Sequence, residues 1–324
     1  MQVLDIVLNI LSSGLPCALL ALGIFLTYRL LDFADLTAEG SFLVGMAVSG
    51  VLIYNGVNPW VATLVSLFAG AGCGIVTGVL NRVLKIPKLL SGIITMTASM
   101  SIVLIILGAA HDIPNFFNSQ LSFTNIVKGS GPQTIYSLLQ PYDYQLGVFI
   151  APWSNIIKVA IMLLVVVVAM GLVYFFFGTE YGMAIRATGM NEKMATAQGI
   201  NPDIATIVGV AIANALIALA GSLYVQETKT VSTVSATGYL VVGLASILIG
   251  EAIFGKRSFK NWLISVALGS VVYFIIITVA IRLGLPTELQ KLLYAILITI
   301  ALCLPLLKMK LSSLRKKKNK EATL

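Results

Sequence analysis

Long apolar runs, each broken by charged residues or by Pro and Gly, follow one another along almost the whole chain. Their limits lie near residues 5–28, 41–55, 58–81, 88–110, 156–178, 204–224, 238–254, 261–281 and 289–307. A run of about 20 apolar residues can cross a hydrocarbon core as a helix whose backbone bonds are all made internally. The pattern predicts an all-α polytopic membrane protein with about nine transmembrane segments. The second and seventh runs are short for a full crossing, which predicts tilted, broken or re-entrant helices.

Composition agrees with the pattern. Of 324 residues, 58% are hydrophobic and 10% charged, with a mean hydropathy of +0.97. A soluble domain carries about a quarter charged residues, so a water-soluble globule is excluded. The formal net charge of +8 would suit a polyanion, but seven of the 21 basic residues lie in the tail between Lys308 and Lys320. A basic tail directly after a membrane segment reads as an anchor at anionic membrane lipid, and no nucleic acid partner is expected. The N-terminal stretch lacks the basic start of a cleaved signal peptide, so the first span is expected to be retained.

Basic residues also orient the chain. With the tail inside, the inner flanks hold 16 of them, including Arg29, Arg82, Lys85, Lys88, Arg186, Lys193, Lys256, Arg257 and Lys260, and the outer side holds five. The excess places the N-terminus outside and the C-terminus in the cytoplasm. The organisation is then a single membrane domain over 1–324. It has a first half near 5–110, an outer loop 111–155, a linking helix 156–178, an inner loop 179–203, a second half near 204–307 and a cytoplasmic tail 308–324.

The two halves resemble each other. At an offset of 198, Gly23, Gly40, Gly45, Ala38 and Ala47 meet Gly221, Gly238, Gly243, Ala236 and Ala245, and Thr37 meets Ser235. A further match sets residues 82–87 against 282–286. One unpaired helix between the halves makes the second cross in the opposite sense, the pattern of an inverted repeat. Such repeats recur in transporters, with polar paths at the repeat interface. Small residues are also common at membrane helix contacts, which leaves chance matching open.

Residues for hydrolytic or redox chemistry are scarce. His111 is the only histidine, and no HExxH, GxSxG or GxxxxGK[ST] motif occurs. Cys17, Cys73 and Cys303 sit in apolar runs and read as packing residues, so no metal site is expected. An enzyme is not predicted.

The polar candidates fall in three places. Asp32, Asp35 and Glu39 lie between the first two spans, where they are either solvated or paired with Arg29, or else line a polar break. Under the repeat they align with Thr230, Thr233 and Thr237. In the fourth span Ser91, Thr95 and Ser99 recur every four residues on one face, with Thr97 and Ser101 on another. They line a path or bond back to their own helix. The inner loop, FGTEYGMAIRATGMNEKMATAQGIN, is the third. Asn191 is placed to cap a short helix over 192–198, and Gly199 to end it in the left-handed conformation. Glu192 and Lys193 would be exposed, with Met190, Met194 and Ala195 free to enter a partner's groove. An ordinary solvated loop fits the same residues.

Within that loop, Gly182, Arg186, Ala187, Gly189, Asn191, Ala195, Gly199 and Ile200 form G-x3-RA-x-G-x-N-x3-A-x3-GI. This resembles the ATPase-coupling loop of permease subunits of ATP-binding-cassette importers of the branched-chain amino acid and ribose type. The stretches ALLALGIFLTYRLLDFADLTAEGSFLVGMA (18–47) and GIITMTASMSIVL (92–104) are similar to spans of the same family. DFADLTAEGSF (32–42) looks closest to its aromatic amino acid uptake subgroup, although Asp32, Asp35 and Glu39 are more acidic than in the branched-chain group.

The resemblance implies a multi-pass permease of a prokaryotic plasma membrane, working by alternating access as a homodimer. Its partners would be cytoplasmic ATPase subunits and an extracytoplasmic solute-binding protein. No cofactor is expected in this chain, with ATP and Mg held by the ATPase. The solute is expected to be an amino acid, with a sugar or nucleoside as the alternative. A stand-alone ion- or proton-coupled carrier using Asp35 or Glu39 is a different class. Phe116, Phe117, Phe123, Tyr136, Tyr142 and Tyr144 of the outer loop would dock the binding protein or anchor the loop in lipid.

Overall fold

A computed structural model describes residues 2–109, 120–122, 134–136, 151–232 and 236–284, with single positions between 289 and 299. Helix α1 (Gln2–Phe25) continues into one π-helical turn, Leu26–Leu30. It is followed by α2 (Thr37–Tyr54), α3 (Pro59–Arg82), α4 (Lys88–Ala109) and α5 (Ala151–Phe176). Then come α6 (Glu180–Met190), α7 (Glu192–Ala197), α8 (Pro202–Thr228), α9 (Tyr239–Phe254) and α10 (Phe259–Arg282).

Seven of these helices are long and apolar enough to cross a membrane, and α9, at 16 residues, is shorter. The expected ninth run, 289–307, falls mostly outside the described residues, as do most of the 111–155 loop and the whole tail. One element was not foreseen. Strand β1 (Gln120–Ser122) pairs antiparallel with β2 (Thr230–Ser232), Leu121 opposite Val231.

Helix starts follow local chemistry. Asn58 and Asn201 cap α3 and α8 with their side-chain oxygens, and Pro59 and Pro202 occupy the first turn, where a missing N–H costs nothing. Ser258 caps α10 in the same way.

Burial sorts the helices. The span ending at Leu30 is 89% buried and α5's span 22%. Helices α1 and α8 therefore pack against each other at the centre, with α5 at the edge of the bundle. Helix α8 also packs on α2 and α3, and α1 on α9 and α10. Glycine permits the closest of these contacts. A Cβ on Gly74 would come within 2.6 Å of the Val210 carbonyl oxygen, and one on Gly78 within 2.9 Å of Ile207 Cα. With Gly70 they form a glycine ladder that lets α3 lie flush on α8.

Helices α2 and α9 each follow a break in the chain. After the π-helical turn, Asp32 takes a left-handed φ of +47°, and the Phe33 N–H donates to the Thr27 carbonyl across 2.9 Å. The chain thus doubles back along the end of α1 before α2 begins. Lys229, with φ +55°, ends α8, and α9 begins after Gly238.

Candidate functional site

The first break carries a buried polar cluster. Asp35 is 5% exposed. One carboxylate oxygen accepts the Thr37 N–H at 2.8 Å, and the other accepts from the side-chain amide of Asn214 at 2.7 Å. Ser41 donates to the side-chain oxygen Oδ1 of Asn214 at 2.6 Å, and the hydroxyls of Thr37 and Thr77 share a 2.7 Å bond. The cluster ties together α2, α3 and α8. A carboxylate in such a place is costly, and each hydrogen bond offsets part of that cost.

Glu39 stands one turn farther along, half-buried, and accepts the N–H of Gly238 at 2.9 Å. The start of α2 therefore meets the start of α9. Phe42 stacks on Tyr239 with ring centroids 4.6 Å apart, and Tyr224 of α8 closes the group at 5.3 Å from Tyr239.

The structure sorts the other path candidates. Ser91, Thr95 and Ser99 are buried together on one face of α4, and Gly40 of α2 lies against Ser99. Ser99 meets the Cys73 thiol at 3.6 Å, whereas Ser91 and Thr95 bond back to carbonyls of their own helix. Thr97 and Ser101 are exposed. Thr37 belongs to the Asp35 cluster. Thr230 does not, because it is held in β2 opposite Ser122. Thr237 lies in the turn before α9, and Thr233 is outside the described residues.

The carboxylates do not pair with Arg29. Arg29 instead reaches Glu251 of α9 at 2.6 Å, and Glu251 also accepts the Trp262 indole N–H at 2.8 Å. Asp32 is exposed, as a solvated residue should be, but Asp35 is not.

The loop from 179 to 201 is two short helices set at an elbow. Asn191 ends α6 and caps α7, accepting the Met194 N–H at 3.1 Å. Gly199 follows α7 with φ +81°, a left-handed conformation that glycine adopts without the strain a side chain would bring. Thr179 caps α6, and a Cβ on Gly182 would strike the backbone of Phe176 and Phe177. Gly189 is seated on the end of α1. A Cβ there would fall on the Leu30 carbonyl and come within 2.8 Å of Leu31 Cα.

These contacts correct one expectation. Ala195 is 1% exposed, so it packs within this chain and is not free to enter a partner's groove. Its carbonyl accepts the Ile200 N–H, which closes the loop after α7. Glu192 is half exposed but already engaged, bonding Arg82 at 2.7 Å, and Arg82 also lies 3.7 Å from Asp203. Arg186 is stacked 4.5 Å over the Phe259 ring. Ala187 contributes its carbonyl to the Asn191 N–H. Most of the motif therefore shapes the loop. The freely exposed side chains include Met190, at 88%, with Lys193, Met194 and Tyr181.

At the opposite end of the bundle, Gln226 accepts the Ile135 N–H and donates to Thr63, and Ser222 donates to Ser49. Tyr136 is buried here, so it is not a docking residue. Burial and the nearby Glu227 carboxylate push its phenol pKa up. The other aromatics proposed with it lie outside the described residues. Among the described residues no group of three His, Cys, Asp or Glu side chains could hold a metal ion.

Sequence reading missed Asn214, Ser41 and Thr77. Asn214 carried a usable signal, since an amide in the middle of an apolar run must find an internal partner.

Known proteins place the chain in a family. The model of the branched-chain amino acid transport system permease component matches residues 6–302. A tyrosine transport system permease protein of Clostridioides difficile is 32% identical over 292 residues, covering 90% of this chain and 88% of that one. A probable branched-chain amino acid transport permease protein, LivH, of Methanocaldococcus jannaschii is 29% identical over 76% of this chain and 72% of its own length. The ribose import permease protein RbsC of Escherichia coli is 22% identical over 90% and 83%. No solved structure matches the chain. With nearly its whole length matched, the protein belongs to the branched-chain amino acid transport system permease family, the multi-pass permeases of ATP-binding-cassette importers.

Proposed function

We propose that this chain is the membrane subunit of an ATP-driven importer for an amino acid, aromatic ones included. The observation that carries the reading is the seat of Gly189 on Leu30 and Leu31. It joins the 179–203 loop directly to the end of α1 just before the break at Asp32, so a push on the loop is carried into the segment that leads to Asp35. Cytoplasmic ATPase subunits, which hold ATP and Mg, dock on the exposed Met190, Met194 and Lys193 surface. A second copy of the chain and an extracytoplasmic binding protein complete the importer, and the N-terminus is outside.

The two halves act as oppositely oriented units. Supporting this, α1 packs on α9 and α10 as α8 packs on α2 and α3. Under the repeat these pairs exchange. Left-handed residues, Asp32 and Lys229, mark the break before each short helix, and Glu39 joins the two helix starts at Gly238. Rocking of the halves about the α1–α8 contact switches the exposed side of the path.

The tyrosine permease relative supports an amino acid solute, while the ribose permease relative favours a sugar as the second reading. Calorimetric screening of the cognate binding protein separates them. Nanomolar to micromolar binding of tyrosine, phenylalanine or tryptophan supports the first, and binding of a pentose or hexose supports the second. Proteoliposomes test the class. Uptake by this chain alone, driven by an ion gradient, would replace the importer with a stand-alone carrier.

A further inference from the structure

We propose that the corner between the α5–α6 elbow and the start of α10 binds the headgroup phosphate of an anionic phospholipid. A cleft of about 350 Å³ opens there, floored by Phe177, Gly178 and Thr179 and walled by Tyr174, Phe175 and Phe259. Arg186 projects into it and rests on the Phe259 ring with its guanidinium 4.5 Å from the centroid. Phe259 is itself stacked on Tyr174 at 6.2 Å, so the cation sits on a rigid aromatic platform. Stacking leaves the guanidinium edge, which carries the N–H donors, free for a phosphate.

Charge at this corner is unbalanced. Arg186 makes no ion pair among the described residues. Lys256, Arg257 and Lys260 flank Phe259 and are exposed. Glu251 is taken by Arg29 and Trp262 and Glu192 by Arg82, which leaves Glu180 as the nearest carboxylate in sequence. The aromatic wall points to a lipid rather than a soluble anion. Tyr174 and Phe175 close the last turns of α5, the least buried of the seven spans, and are 49% and 75% exposed. An acyl chain can run along α5 over Leu172 and Val168, exposed residues of the same helix, while the headgroup meets Arg186. The inference rests only on a membrane-spanning chain and not on the direction or energy source of transport.

The test is native mass spectrometry of the delipidated chain in mild detergent, titrated with phosphatidylglycerol, phosphatidylcholine or inorganic phosphate. The wild type is expected to hold phosphatidylglycerol, and Arg186→Gln to hold it about five- to tenfold more weakly, as loss of one basic contact at a membrane surface implies. Phe259→Leu is expected to weaken it as well, and Arg186→Lys to keep part of it. Equal retention of phosphatidylglycerol and phosphatidylcholine overturns the proposal, as does unchanged retention in Arg186→Gln. Competition by millimolar inorganic phosphate against the lipid would make the corner a soluble-anion site and also overturn it. Helical circular dichroism and a monodisperse profile establish that each variant is folded. If Arg186→Gln keeps its lipid but loses co-purifying ATPase, the corner is a protein contact and the lipid assignment is wrong.

Discussion

Asp35, in the break between α1 and α2, takes a 2.7 Å hydrogen bond from the side-chain amide of Asn214, 179 residues later in the middle of α8. The same amide accepts from Ser41. Replacing Asn214 by Leu strips a donor from a buried carboxylate and an acceptor from a buried hydroxyl. Stability is expected to fall by about 1–3 kcal/mol. The double variant Asp35→Leu with Asn214→Leu should recover part of that loss, because the buried carboxylate, the costliest group left stranded by the single change, is then gone. Thermal melting in detergent measures both, and additive losses would show that the pair is not coupled.

Gly189 is the second point of leverage. Even Gly189→Ala places a methyl group on the Leu30 carbonyl. Either α6 lifts from the end of α1 or the break shifts. Substrate-stimulated ATPase and uptake are expected to separate, with uptake falling about tenfold, within the range of coupling energies between sites. Basal ATPase should persist. Parallel ATPase and uptake assays in proteoliposomes check it, and unchanged uptake would remove the contact from the coupling route.

Arg29 and Glu251 join the end of α1 to α9 with little exposure, 28% and 11% for their side chains. Glu251→Gln removes the charge but keeps an acceptor for Trp262, so a loss of about 1–2 kcal/mol is expected. Exchanging the pair, Arg29→Glu with Glu251→Arg, should restore more stability than either single change leaves. Failure of the exchange to improve on Arg29→Glu would point to packing rather than pairing.

Gly74 tests the helix contact. Leucine there would meet the α8 backbone at Val210 and Ala211. Overpacking at a close helix crossing is expected to cost about 2–3 kcal/mol. Leucine at Gly72, where an added Cβ meets nothing within 4 Å, should be nearly neutral. Equal losses at the two positions would contradict the packing.

Much of this fold was legible in the sequence, because a membrane allows few backbone solutions and apolar length alone marks the spans. The two short runs marked helices α2 and α9, but each is one continuous helix, and α2 at 18 residues is long enough to span. Asn191 and Gly199 were readable because a cap and a left-handed residue are local chemistry. Ala195 was misread since burial inside a short loop depends on what folds over it. The partners of Arg29 and Asp35 lie 222 and 179 residues away. No spacing rule reaches that far, and only the packing of α1, α8 and α9 reveals them.

Photo-crosslinking from Met190 and Met194 tests the docking of an ATPase on the α6–α7 surface most directly. A photoreactive residue at each position, activated in membranes of cells making the intact transporter, is expected to capture a subunit with a nucleotide-binding P-loop, identified by mass spectrometry. Labelling of the same positions by a membrane-impermeant reagent added outside intact cells, with no ATPase captured, would contradict it.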